Sequence, residues 1–152
     1  MKSASEWFAE YSVSHQNKKN QAIHYVCVPA IFFSVVGLLM SIPHGILREL
    51  FKADLFWLEN WAVVALLCAL IFYFQMSVKI GLELLLFSAC CIAGNYLLSE
   101  AFSLWQASLL IFVVAWIGQF YGHKIEGKKP SFLKDLQFLL IGPAWVIHKM
   151  FN

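Results

Sequence analysis

The chain has 152 residues, of which 61% are hydrophobic and 13% are charged. Globular soluble chains have about 45–50% apolar and about 25% charged residues, so this composition excludes an ordinary soluble domain. The formal net charge is only +2, which gives a nucleic-acid partner little support. The composition therefore predicts a single all-α domain over residues 1–152 that is embedded in a lipid bilayer.

The N-terminal segment is predicted to form a short helix on the membrane surface. Ser3 and Glu6 have the spacing of a capping box, in which each residue satisfies a backbone amide of the other. Trp7, Tyr11 and His15 recur at every fourth position and would share one face of this helix. Acidic and polar residues precede the first apolar run, so we do not expect a signal peptide.

Four runs with little or no charge are long enough to cross a bilayer, which requires about 20 apolar residues. Asn20 is predicted to be the N-cap of the first run. Glu83 is the one acidic residue within them, and a buried charge in a membrane is a functional candidate by default. The runs predict a four-helix membrane bundle with spans at about residues 22–42, 61–78, 80–98 and 101–122.

The last apolar segment, residues 136–147, is interrupted by Gly142 and Pro143. A helix of this length rises only about 18 Å, whereas the hydrocarbon core of a bilayer is about 30 Å thick. We therefore expect a re-entrant or interfacial helix at this position.

The distribution of basic residues predicts that both termini are cytoplasmic. Of the 11 Lys and Arg residues, only Arg48 and Lys52 fall on the opposite side in this topology. His15, His24 and His123 then reach the same cytoplasmic edge of the membrane. The membrane itself would be either a bacterial inner membrane or the endoplasmic reticulum.

Histidines that converge from different elements are candidate metal ligands. His123 and Glu126 are three residues apart and would share a face if the fourth span continues beyond residue 122. A carboxylate beside imidazoles favours iron or manganese, and the four cysteines lie in apolar runs without CxxC spacing, which argues against structural zinc. The plainer interpretation is that these histidines are only polar residues of the membrane interface. His148 is expected to be a tail residue, unless a re-entrant segment returns it to the same edge.

Two groups of residues match the pattern of a known family. The first group is Trp7, Tyr11, His15, Asn20, His24 and Pro29, and the second is Gln119 to His123, Glu126 to Pro130 and Gly142-Pro143. Together they resemble the iron(II)-dependent 2-hydroxy fatty acid dioxygenase family over nearly the whole chain. The resemblance implies that Fe²⁺ and O₂ convert a 2-hydroxy fatty acid to the acid one carbon shorter, as in fatty acid α-oxidation.

The resemblance carries iron binding over to His15, His24 and His123. From the residues themselves, Glu126 is a candidate fourth ligand or a residue that orients a ligand. Lys128 is predicted to hold the substrate carboxylate, although Lys124, Lys128 and Lys129 could instead anchor the chain to the inner leaflet. Asn20 is predicted to belong to the substrate-binding site. The oligomeric state stays open.

Two other functions remain possible from the residues themselves. His24 and His123, near two helix ends, could be the axial ligands of a haem in a small membrane cytochrome. The histidines could also be incidental in a membrane module or carrier without enzymatic activity, which would bind no stoichiometric metal.

Overall fold

The structure is a computed structural model that describes residues 2–43, 45–51, 58–127 and 136–151. Within these ranges every regular element is an α-helix, as the composition predicts. The helices are α1 (Ala4–Ser12), α2 (Lys18–Met40), α3 (Gly45–Phe51), α4 (Trp61–Met76), α5 (Val78–Ala101), α6 (Leu104–Glu126) and α7 (Leu136–Phe151).

The first helix begins with the predicted capping box. The Ser3 side chain accepts from the Glu6 amide, and the Glu6 carboxylate accepts from the Ser3 amide. Trp7 and Tyr11 are buried on one face, as their spacing predicts. The helix ends at Ser12, however, so His15 lies in the following turn and not on α1.

The first long helix begins earlier than the sequence analysis predicts. Its N-cap is Asn17, whose side chain accepts from the Lys19 amide at 2.9 Å. Asn17 has the extended backbone conformation that is typical of an N-cap residue, and it follows the turn that contains His15. The prediction of Asn20 as N-cap is therefore wrong, and Asn20 is a fully buried residue within α2.

Three helices, α2, α5 and α6, are long and apolar enough to cross a membrane. The apolar helix α4 has 16 residues and rises about 24 Å, less than the roughly 30 Å of a hydrocarbon core. It is joined to α5 by Ser77 alone, so the turn between these two helices is tight. The arrangement of four crossings stays a prediction.

Close packing of α2 against α6 positions the candidate site. Gly118 and Gly122 of α6 face Cys27 and Asn20 of α2, and a side chain at either glycine would meet these atoms. Small residues let two helix backbones approach in this way. The consequence is that the N-terminal turns of α2 lie directly beside the C-terminal turns of α6.

The C-terminal helix α7 continues through Gly142 and Pro143 without the predicted interruption. Pro143 removes the backbone donor for the Leu139 carbonyl, and packing against neighbouring helices allows α7 to continue through this position. The Tyr73 hydroxyl donates to the carbonyl of Leu140 at 3.0 Å. One face of α7 is fully buried against α1, α2 and α5, and Trp145 is 1% exposed.

Glu83 and His148 contact each other between α5 and α7. The Nδ1 atom of His148 lies 2.7 Å from a carboxylate oxygen of Glu83, and the Phe8 ring packs on the imidazole. His148 is therefore ordered against the helices and engaged with Glu83, away from the three-histidine cluster. His44 lies outside the described residues.

Candidate metal centre

Three histidines from three segments meet in one buried cluster. His15 lies in the turn between α1 and α2, His24 lies in α2, and His123 lies in the last turns of α6. Their ring centroids are 4.4, 5.2 and 4.9 Å apart, and one ligand nitrogen from each lies within 4.8 Å of the others. All three side chains are buried. The structure therefore brings together the three histidines that the topology predicts to converge.

Backbone carbonyls fix the orientation of two of these rings. The Nδ1 atom of His15 lies 2.7 Å from the Tyr11 carbonyl oxygen, and the Nδ1 atom of His24 lies 2.9 Å from the Asn20 carbonyl oxygen. A carbonyl oxygen only accepts, so each Nδ1 must carry the hydrogen. In a neutral imidazole the other nitrogen, Nε2, then has a lone pair. Metal-bound histidines commonly show this arrangement.

The two Nε2 atoms of His15 and His24 face each other at 3.0 Å. With both Nδ1 atoms protonated, a hydrogen between the Nε2 atoms would make one ring a cation. Burial lowers the pKa of His15, although its bond to the Tyr11 carbonyl and the charge of Glu126 act in the opposite direction. A bound metal cation satisfies both lone pairs without protonating a buried ring.

His123 completes a donor set of the kind that metals prefer. Its Nδ1 atom is buried and has no hydrogen-bond partner among the described residues. Three imidazole ligands suit iron, zinc, copper or nickel, and three protein ligands leave further coordination positions open. Within the described part of the chain this is the group of histidine, cysteine and acidic side chains that could hold a metal ion.

Glu126 lies beside the cluster, and its carboxylate joins the end of α6 to the start of α2. One oxygen accepts from the Gln16 amide at 2.9 Å, and the other accepts from the Asn17 amide at 2.9 Å and from Asn20 Nδ2 at 3.0 Å. These three hydrogen bonds hold the turn that carries His15 against the end of α6. A direct bond to the metal stays a prediction.

The end of α6 is defined at the next residue. Gly127 adopts a left-handed conformation with φ of 71°, which ends the helix immediately after Glu126. The predicted substrate ligand Lys128 lies outside the described residues. Asn20, the other predicted substrate residue, uses its amide nitrogen to bind Glu126, and its Oδ1 atom faces Gly122.

Two aromatic residues that the sequence patterns do not assign to the site pack beside His15, and their rings also pack against each other. The Tyr11 ring stacks on His15 with centroids 4.1 Å apart, and the Trp145 ring lies 5.8 Å from it. Trp145 also donates from Nε1 to the Ser12 hydroxyl at 3.1 Å. The recurrence of Tyr11 and His15 indicates the first contact. The second depends on the path of α7, which the local pattern does not determine.

An apolar cavity of about 240 Å³ extends from the histidines between the helices. All three imidazoles line one end. Along α2 the lining continues from His24 to Leu39, a rise of about 22 Å. The other lining residues are mostly aliphatic or aromatic and come from α1, α4, α6 and α7. Such a cavity suits a long apolar ligand with one polar end.

The chain is similar in sequence to known proteins. A 26% identical relative, over 142 residues, is the 2-hydroxy-palmitic acid dioxygenase MPO1 of Saccharomyces cerevisiae, and the match covers 90% of this chain and 73% of the yeast protein. No solved structure matches the chain. The family model described as 2-hydroxy-palmitic acid dioxygenase Mpo1-like matches residues 1–152. The chain therefore belongs to the Mpo1-like family.

Proposed function

We propose that the protein is a membrane-embedded, Fe(II)-dependent dioxygenase that acts on 2-hydroxy fatty acids. Family membership and the name of the yeast relative support the substrate class. The observation that carries the proposal is the pair of Nε2 lone pairs of His15 and His24, which face each other at 3.0 Å at the polar end of an apolar cavity. The products are the acid one carbon shorter, CO₂ from the former carboxyl carbon, and water.

Iron is the metal that this proposal assigns to His15, His24 and His123. Imidazole nitrogens suit Fe(II), and a site with three protein ligands has room for both an organic ligand and O₂. When bound, the iron would supply the one-electron chemistry that the reaction of O₂ with an organic acid requires. Tyr11 and Asn20 contribute carbonyls that orient two of the ligands, and Glu126 holds the turn that carries His15.

The apolar cavity would hold the acyl chain of the substrate. Each buried methylene contributes about 0.8 kcal/mol, so a long chain supplies most of the binding free energy. Val35 and Leu139 line the cavity and are also exposed on the outer surface, so the chain could enter from the surrounding lipid. In the proposed topology the four spans place the histidines at the cytoplasmic edge, where Lys128 would hold the carboxylate and Asn20 would complete the polar end.

The alternative of a haem protein conflicts with the packing of the three rings. A porphyrin between His24 and His123 needs a flat open space on every side of the axis that joins them. His15 contacts both rings, at centroid distances of 4.4 and 5.2 Å, and occupies part of that space.

The test combines elemental analysis with product analysis. The protein is purified in mild detergent, reconstituted anaerobically with Fe(II), and then given O₂ and 2-hydroxyhexadecanoic acid. We expect about one iron per chain, by analogy with other three-ligand sites, and pentadecanoic acid as the product by mass spectrometry. Protein that takes up no metal under these conditions would contradict the proposal, and so would a metal-loaded protein that leaves the hydroxy acid unchanged.

A further inference from the structure

One polar side chain in the cavity has no assigned role. Gln119 lines the cavity and is only 6% exposed. Its Oε1 atom is buried and has no hydrogen-bond partner among the described residues. Leaving a buried amide oxygen unpaired is costly, so a residue retained in this state indicates a ligand that donates a hydrogen bond to it.

The position of Gln119 places it between the histidines and the apolar part of the cavity. It lies one helical turn before His123 on α6, a rise of about 6 Å. Trp116, three residues earlier on the same helix, also lines the cavity. Residues with this spacing share one face of a helix, so α6 presents an aromatic ring, an amide and an imidazole in order along the cavity.

The Oε1 atom of Gln119 is a hydrogen-bond acceptor, which restricts the substrate group that it can bind to a donor. A 2-hydroxy fatty acid at neutral pH has one hydrogen-bond donor, the hydroxyl, because its ionised carboxylate only accepts. The Oε1 atom of Gln119 can accept only from a donor. The oxygen of the same hydroxyl keeps lone pairs for a second interaction. An unsubstituted fatty acid offers no donor and leaves the amide oxygen unpaired.

We propose that Gln119 binds the 2-hydroxyl group of the substrate and sets the preference for 2-hydroxy over unsubstituted fatty acids. This inference rests on the proposed function, since it assumes that a fatty acid occupies the cavity. A site that hydrogen-bonds a substrate hydroxyl discriminates against analogues without it, because its own polar group is then left buried and unpaired. The apolar wall of the cavity could not make this distinction alone.

The test measures binding and not turnover. Full-length protein loaded with Fe(II) is kept anaerobic, and the dissociation constants of 2-hydroxyhexadecanoic acid and hexadecanoic acid are measured by competition with a radiolabelled fatty acid. Gln119→Leu removes the acceptor at similar volume, and replacing an unpaired buried polar group by an apolar one is close to neutral for folding. Gln106→Leu on the exposed side of α6 is the matched control.

We expect Gln119→Leu to lower the preference for the hydroxy acid by about tenfold, the effect of one hydrogen bond. Hexadecanoic acid should bind at least as well as before, bound iron should be unchanged, and Gln106→Leu should behave as wild type. Gln119→Met, a longer apolar replacement with only a weak acceptor, repeats the test if the leucine variant is unstable.

The outcomes separate this inference from the function on which it rests. If wild type prefers the hydroxy acid and Gln119→Leu keeps that preference, the role of Gln119 is wrong and the proposed function stands. If Gln119→Leu and Gln119→Met both unfold or lose iron, Gln119 is a structural residue and the inference is overturned. If wild type itself binds both acids equally, the proposed substrate fails and the role of Gln119 fails with it.

Discussion

His15 and His24 are oriented by the same local device. Each donates its Nδ1 hydrogen to the carbonyl of the residue four positions earlier, Tyr11 or Asn20. The backbone of α1 and α2 therefore selects the tautomer and points both Nε2 atoms at the cluster. Both rings therefore present an Nε2 lone pair to the cluster.

Loss of any of the three histidines should remove the metal. We expect His15→Ala, His24→Ala and His123→Ala each to weaken iron binding by at least about 100-fold, because loss of a direct ligand exceeds the 10- to 100-fold effect of an outer partner. His148→Ala is the matched control, since His148 contacts Glu83 and not the cluster. Elemental analysis and metal titration are the measurements. Full retention of iron by all three variants would disprove the site.

Glu126→Gln should weaken the site without abolishing it. The amide places a donor where one carboxylate oxygen now accepts from the backbone of Gln16 or Asn17, so the turn that carries His15 loses a partner. We expect iron affinity to fall by about 10- to 100-fold. The exposed Glu100→Gln on α5 should leave it unchanged. A loss as complete as in the histidine variants would instead indicate that Glu126 is a direct ligand.

For individual residues, the sequence predicts which side chains share one depth in the membrane better than it predicts their hydrogen-bond partners. The three histidines could be grouped because span topology and spacing bring them to one edge. The amide contacts of Glu126 depend on a turn at Gln16 and Asn17 that no periodic pattern predicts. Gln119 is recognisable from the sequence as a polar residue in an uncharged span and as the first residue of the family motif that ends at His123, but neither feature indicates what its side chain contacts.

Helix packing should be most sensitive at Gly37. A methyl group there would collide with Asn95 and Ser108. Asn95 cannot move aside easily, because its amide nitrogen donates to the carbonyls of Phe33 and Cys91 at 3.0 and 2.9 Å. We expect Gly37→Ala to destabilise the fold by about 1–3 kcal/mol.

The control for this prediction is Gly45→Ala, where an added methyl group would meet nothing within 4 Å. Unfolding of both variants in mixed detergent micelles, followed by circular dichroism, gives the comparison. Equal stability of the two variants would show that α2 can shift away from α5 and α6 at little cost.

Helix existence is predictable from this sequence because long apolar runs leave few alternatives, and α2, α4, α5 and α6 fall where those runs lie. The residues at which these helices begin and end are less predictable. Asn17 and Asn20 are both suitable N-cap residues by type, and α2 begins after Asn17 because this residue has the extended backbone conformation. The continuity of α7 through Pro143 depends on its packing against α1, α2 and α5, which local propensity does not include.

The orientation of the whole molecule is testable by cysteine labelling. In a background without the four native thiols, Lys128→Cys should be modified by an impermeant maleimide only from the cytoplasmic side, and Lys52→Cys only from the opposite side. The reason is the concentration of Lys and Arg on one side of the predicted spans. Labelling with the two sides exchanged would show that the topology is the reverse of the predicted one. Labelling of both positions from the same side would show that the chain does not cross the membrane three times between them.

The separation of the site residues along the chain has a consequence for biosynthesis. The first two histidines enter the membrane with the earliest helix, but the third arrives only near the end of α6, and Trp145 of α7, which packs near His15, follows later still. A nascent chain on the ribosome therefore carries an incomplete site through most of its synthesis. Under the proposed function, all three ligands are therefore available to iron only after α6 has been inserted.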